Sequence, residues 1–312
     1  PDWWDTPRHN IQRAELNIIA NDATRVAALL SGEVDFVYTV PPQDVDRIRR
    51  TAGMQVLQGP ELRTIYIGFD QDRAQLLKSD VQGKNPFKDV RVRRAINMAI
   101  DAQAIQRTVM RGQSRPTGML WGPGVNGFRE EDDKRYPLDV EGAKRLLAEA
   151  GYPRGFSLTL MVPRGRYLLG EEVTQVVAAY LGKVGVETKI EAVEFGVFAK
   201  ATQTRSIPDG FYAAWGNAFF NPIDEAQVAL LCGGKGFSWY CNPSYHRLIQ
   251  RAAATLSPVR QASLLRAAER ALYENPAFIY LYAYKDLYGV SKRLVWQPRR
   301  DEMIWMFEAS VR

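Results

Sequence analysis

The side chains with the clearest chemical potential share one stretch, Asp209-Gly-Phe-Tyr-Ala-Ala-Trp-Gly-Asn-Ala-Phe-Phe-Asn-Pro222. Trp215, Phe219 and Phe220 offer flat apolar surface, and Asn217 offers an amide. That combination suits a small solute held by stacking and hydrogen bonds. Phe211, Tyr212, Ala213 and Ala214 lead into Trp215 as a mostly apolar, aromatic run, the pattern of a buried strand. Gly216, Asn217 and Asn221-Pro222 then read as turn chemistry. In α/β proteins ligands bind outside strand ends, so the stretch is a candidate site. The same aromatics suit a core, and residue types leave both readings open.

Neighbouring residues extend the candidate set. Gln203 and Arg205 precede the strand and read either as surface residues or as donors to ligand oxygens. Phe195 opens a short helical segment and suits either core packing or a stacking wall for the solute. The candidate ligand contacts are therefore Trp215, Asn217, Phe219, Tyr212, Arg205 and Phe195.

Bond-making chemistry has less support. Gly122-Pro-Gly-Val-Asn-Gly127 matches G-x-G-x-x-G but follows a Pro-rich loop and opens no helix, so it lacks the context of a dinucleotide site. Ser238 lacks the second glycine of a nucleophile elbow. Glu130-Glu-Asp-Asp133 reads as a solvated charge run. His9 and His246 are far apart in sequence, so no metal site is expected, and no cofactor either. A hydrolase of peptides or glycosides remains the alternative class, since carboxylates can converge from distant sequence. A structural or chaperone-like module is a third.

Cys232 and Cys241 flank a glycine-rich loop, and a disulfide between them is expected, which suits an oxidising compartment. The formal charge is +6 over 312 residues. The basic residues are scattered among acidic ones without a long basic run, which argues against a nucleic-acid partner. The opening Pro1-Asp-Trp-Trp is not a secretory signal and leaves the compartment open.

The elements that must position these residues alternate between strand and helix. Strands are expected at 11–19, 34–38, 55–57, 64–69, 156–162, 186–193 and 277–284, with strands or extended chain over 286–312. Helices are expected at 23–30, after Pro41-Pro42, and over 87–110 with a restart at Asp101. Further helices are expected at 140–150, 170–184, 195–203, 243–255 and 258–274. Arg91, Arg93 and Arg94 are expected to face solvent. The alternation defines an α/β protein.

Several of these segments carry a resemblance. Ser31-Gly-Glu-Val-Asp35, Asn85-Pro-Phe-Lys-Asp-Val-Arg-Val-Arg-Arg-Ala-Ile-Asn-Met-Ala-Ile-Asp101, Ala143-Lys-Arg-Leu-Leu-Ala-Glu-Ala-Gly-Tyr152, Val184-Gly-Val186, the Trp215 stretch and Tyr240-Cys-Asn-Pro243 stand in this order. Together they resemble the extracytoplasmic solute-binding proteins of ABC importers, in the family of oligopeptide, dipeptide and nickel binding proteins.

The resemblance implies a two-lobed, periplasmic-binding-protein-like (type II) α/β fold, with this chain a C-terminal fragment lacking the front half. Residues 1–64 and 286–312 would form part of the first lobe and 65–285 the second. It implies a monomer that binds a peptide-like solute and passes it to an ABC permease. The location would be periplasmic or extracytoplasmic, with membrane anchoring through the missing N-terminus. Members that bind peptides by a free amino terminus carry an Asp three residues after this Trp. Here that position is Ala218. The departure admits neutral polar solutes such as an oligosaccharide or a blocked peptide.

Overall fold

The computed structural model describes residues 9–59, 62–217, 219–233 and 239–312. In chain order the elements are α1 (Asp22–Ser31), β1 (Phe36–Tyr38), α2 (Val45–Arg50), β2 (Met54–Gln58), β3 (Arg63–Phe69), α3 (Val90–Ala99), α4 (Ala102–Thr108) and β4 (Ser114–Pro116). They continue with α5 (Val140–Glu149), β5 (Phe156–Pro163), α6 (Gly170–Gly182), β6 (Val186–Val193), α7 (Phe195–Gln203), β7 (Gly210–Gly216), α8 (Pro222–Ala229), α9 (Pro243–Ala253) and α10 (Pro258–Glu274). The chain closes with β8 (Ile279–Tyr284), β9 (Leu287–Ser291), β10 (Leu294–Val295) and β11 (Ser310–Val311). Of the described residues, those before Pro60 together with Lys285–Arg312 form one compact unit, and Leu62–Tyr284 form another.

The larger unit is built on a six-stranded sheet of order β4-β8-β3-β7-β5-β6. β7 pairs antiparallel with β3 and parallel with β5. Side chains alternate across this sheet, as a strand period of two requires. On one face Ile65, Ile67, Phe69, Leu158, Leu160, Val162 and Tyr212 meet Ile96 of α3, Leu147 of α5 and Val177 of α6. On the other, Tyr66, Met161, Phe211 and Ala213 meet Phe198 of α7, Ala226 of α8, Ile249 of α9 and Leu272 of α10. Helices on both faces explain why β3 and β7 read as near-continuous apolar runs. Gly68 is required by packing, because a Cβ there would run into the Phe211 ring.

The smaller unit has a three-stranded antiparallel sheet of order β1-β9-β2. Val26, Leu29, Val45 and Ile48 from α1 and α2 pack with Val37 and Leu287 on one face. Tyr288, Val290, Trp296, Phe36 and Leu57 pack on the other. A Cβ on Gly289 would come within 2.6 Å of the Leu29 side chain, so this strand position admits no larger residue without displacement.

Four expectations are corrected. Residues 11–19 form no strand, and Leu16 and Ile18 are 94% and 93% exposed. Their apolar side chains meet no facing surface, and the nearby edge is tied by Asn10, whose Nδ2 donates to the Val311 carbonyl and whose Oδ1 accepts the Val311 N–H, each at 2.8 Å. Arg93 is buried: its guanidinium donates to the carbonyls of Phe87 and Pro276 and to Asn275 Oδ1, stitching α3 to the turn after α10. Burial lowers its pKa to about 10. Asp133 is no solvated charge but pairs with Arg115 and accepts from the Thr117 hydroxyl and the Gly118 N–H, bracing the 114–118 segment. Finally, Asn221-Pro222 opens α8 instead of merely turning the chain: Asn221 Oδ1 accepts the Ile223 N–H at 3.2 Å, and Pro222 takes the first helical position, where no donor is needed.

Candidate functional site

β7 reaches its C-terminal end with Trp215 paired to Thr64 and Gly216 to Arg63. Its ladder with β5 covers Gly210 and Phe211, so beyond them the pairing shown is with β3. Period two puts Trp215 on the face of Phe211 and Ala213. There it is half-buried against the core that α8 also joins.

The loop after β7 is held by Asn217. Its Oδ1 accepts the Asn221 N–H at 2.9 Å, and its carbonyl accepts the Phe220 N–H at 3.2 Å. Asn217 is 3% exposed, so its amide braces the turn from within. Phe220 adopts a left-handed φ of 55°, and its carbonyl accepts the Asn126 N–H at 2.9 Å. Phe219 is 79% exposed, a large ring presented outward by a fixed loop. Ala218 lies outside the described residues.

Phe195, at the start of α7, is 44% exposed. It stacks on Phe198 with ring centroids 6.3 Å apart, and the Arg166 guanidinium stands 5.2 Å from its centroid. An exposed ring beside a cation can receive a planar or anionic group.

Three candidates are placed differently from expectation: Asn217, whose amide turns inward instead of toward a solute, Tyr212 and Arg205. Tyr212 is fully buried, with its hydroxyl 3.0 Å from that of Tyr282. Burial and its tyrosine neighbours raise its pKa well above the usual phenol value. The strand period sends it to the face opposite Trp215, so it is a core residue. Arg205 spends its guanidinium internally: Nε and Nη2 donate to Asp70 at 3.1 and 3.0 Å, and Nη2 also reaches Asp72 at 2.8 Å. It also lies 4.9 Å from the Trp239 ring centroid. Burial pushes the Asp70 carboxyl up, but the Arg205 bonds and the backbone N–H groups of Arg73 and Asp72 outweigh it and hold its pKa below the usual range. Arg205 therefore ties the entry of β7 to the loop that begins at Asp70. Asp209 works similarly, accepting the Lys78 N–H and the Thr159 N–H at 2.9 and 2.7 Å.

Cys232 and Cys241 are joined by a disulfide. Residues 234–238 of the loop it closes, Ser238 among them, lie outside the described residues. Among the described residues no group of three His, Cys, Asp or Glu side chains is arranged to hold a metal ion.

One residue at this site escaped sequence reasoning. Glu225, on the buried face of α8, has Asn217 and Trp215 beside its carboxyl. The signal was present: α8 buries Pro222, Glu225, Ala226 and Ala229, a helical stripe in which a Glu occupies a core position. It is legible only once 222–229 is known to be a helix.

The arrangement sets a half-buried and an exposed aromatic ring at and just beyond the end of a strand in an α/β sheet. The chain belongs to the bacterial extracellular solute-binding proteins, family 5; the model for the middle region of that family matches residues 1–237. It is similar to the glutathione-binding protein GsiB of Shigella flexneri serotype 5b, 24% identical over 286 residues that cover 88% of this chain and 53% of the relative. Among solved structures it is similar to the ABC transporter-associated periplasmic binding protein DppA from Helicobacter pylori in complex with the peptide STSA. The TM-score is 0.81 at 20% identity, covering 94% of this chain and 56% of that one. NikZ from Campylobacter jejuni in complex with Ni(L-His) gives a TM-score of 0.77 at 19% identity, covering 94% and 60%. The fold is thus the two-lobed periplasmic-binding-protein α/β fold. The chain spans about half the length of the curated relatives it matches.

Proposed function

We propose that this chain is part of a protein that binds a small peptide-like solute outside the cytoplasm and delivers it to an ABC import permease, without catalysis. The observation that carries the reading is the family match over residues 1–237, joined to a strand end that holds Trp215 half-buried and Phe219 exposed. The names of the relatives supply the ligand class: glutathione for GsiB and a tetrapeptide for DppA. In this reading 62–284 belongs to one lobe and the remaining residues to the other, and solute contacts made only in a closed form of the full-length protein shift it toward that form. Trp215, Phe219 and Phe195 supply apolar contact, while Asn217 shapes the loop that presents Phe219. Ala218, where free-amine binders of the family carry Asp, favours a solute that does not depend on a carboxylate at that point.

Calorimetric titration of the full-length protein with glutathione and with the peptide Ser-Thr-Ser-Ala tests this, followed by mass spectrometry of the incubated ligands. Saturable binding with the ligands recovered intact supports the proposal; cleavage of either would favour the hydrolase alternative. Trp215→Ala is expected to weaken binding by about 2 kcal/mol, the loss typical of an aromatic anchor. An unchanged affinity in a folded variant would assign Trp215 to the core.

A further inference from the structure

Glu225 is 5% exposed, and neither of its carboxyl oxygens has a hydrogen-bond partner. The Nδ2 of Asn217 has none either. Yet the Asn217 amide and the Trp215 indole stand close enough to draw the Glu225 pKa down, against a larger upward push from burial, leaving it at about 8. A buried carboxyl beside two donors, with a bond closed to neither, is a costly occupant of a helix stripe that an alanine or leucine would fill. The titratable groups that act with it are all acidic: Asp224 on its own helix, Tyr66 on β3, Tyr245 on α9, Glu269 on α10 and Tyr280 on β8. Within this cluster the side chains whose donors draw on the carboxyl are those of Asn217 and Trp215, at the end of β7.

We propose that Glu225 is a positioning residue of the strand-end site: its carboxyl sets the orientation of the Trp215 indole and of the Asn217 loop, and so of the aromatic surface offered to a solute. The part that concerns the solute rests on the role proposed above for Trp215. While protonated, the carboxyl pulls weakly on its neighbours. Once ionised it must find donors, because a buried charge without them is far costlier than a neutral group. Asn217 is already pinned through Oδ1 to the Asn221 N–H, so the carboxylate closes on its Nδ2 and draws the Trp215 indole N–H to the same point. Charge-assisted bonds are roughly twice as strong as neutral ones, so the orientation of Trp215 follows the charge on Glu225.

The test reads Trp215 directly. In the full-length protein labelled with nitrogen-15, the indole resonance absent from Trp215→Phe is followed against pH. It should move with a midpoint near pH 8 in the wild type and stay fixed in Glu225→Gln. In parallel, the ratio of wild-type to Glu225→Gln affinity for glutathione should change by about threefold or more between pH values well below and well above that midpoint, ionisation of glutathione itself cancelling in the ratio. Glu225→Asp, one methylene shorter, should restore a titrating indole and serves if the Gln variant fails to fold. An indole that does not titrate in the wild type, or that titrates identically in Glu225→Gln, overturns the proposal. If glutathione binds but the indole is silent, the positioning role fails and the solute-binding reading stands. If the indole titrates as expected but neither glutathione nor Ser-Thr-Ser-Ala binds, the positioning role stands and the solute reading fails.

Discussion

At the scale of single residues, Glu225 links stability to pH with a definite sign. Its pKa rises from 4.5 to about 8 on folding, first because of burial. Between those values the folded state holds a proton that the unfolded state has lost. The stability it contributes is therefore full below the unfolded value and is lost as pH rises toward the folded one. Each titrating proton is worth about 1.4 kcal/mol per pH unit in that window. Denaturant unfolding at pH 5, 6 and 7 should show wild-type stability falling more steeply than that of Glu225→Gln by about 1 kcal/mol per pH unit. Glu269, also raised by burial, adds a slope of the same sign to both proteins. Parallel curves would mean that Glu225 is already ionised in the fold. Arg93 makes the complementary point about reading side chains from sequence. In Val-Arg-Val-Arg-Arg the apolar stripe of α3 was clear, but the acceptors for Arg93 lie at Phe87, Asn275 and Pro276, most of them remote in sequence. No periodicity announces a partner that far away.

At the scale of elements, the entry and exit of β7 are held by different means. The entry depends on the Arg205–Asp70 pair, with Asp70 fully buried and Arg73 as its second cation. Arg205→Ala leaves Asp70 with Arg73 and two backbone donors, so the loss should stay near 2 kcal/mol, below that of an orphaned buried charge. Thermal unfolding should record this loss while glutathione affinity holds. A large fall in affinity at unchanged stability would return Arg205 to the ligand. The exit depends on Asn217 and the Asn221 cap. Long periodic elements such as β7, α7 and α10 were legible because one period runs through each, with caps or breakers at the ends. α8 was not, because Asn-Pro marks a turn and a helix start alike, and its stripe is interrupted by Glu225. The 11–19 segment shows the opposite failure: apolar residues suggested a strand, but only Ile11 packs on the core of Tyr288 and Trp296, while Leu16 and Ile18 face outward and no strand forms. At the candidate site the aromatic and the amide were visible in sequence. The inward direction of the Asn217 amide and the engagement of Arg205 depend on contacts that the fold alone creates.

At the scale of the whole molecule, the two units depend unequally on the last stretch of the chain. All six strands of the larger sheet lie within 62–284. The smaller sheet takes its central strand, β9, from the far end of the sequence, and β1 and β2 pair with β9 and not with each other. Removing 285–312 would therefore strip β1 and β2 of their ladders at once. It would also remove Leu287 from one small core and Tyr288, Val290 and Trp296 from the other. The remaining helices α1 and α2, of 10 and 6 residues, are too short to persist without tertiary packing. Hydrogen exchange on a chain truncated after Tyr284 should show 36–38 and 54–58 exchanging as an unfolded segment, while the amides of β3 and β7 keep their protection. If β3 and β7 lose protection as well, the larger unit depends on the smaller for its stability and the two fold as one. If β1 and β2 remain protected, something other than β9 holds them, and the strand order β1-β9-β2 is not what stabilises that unit.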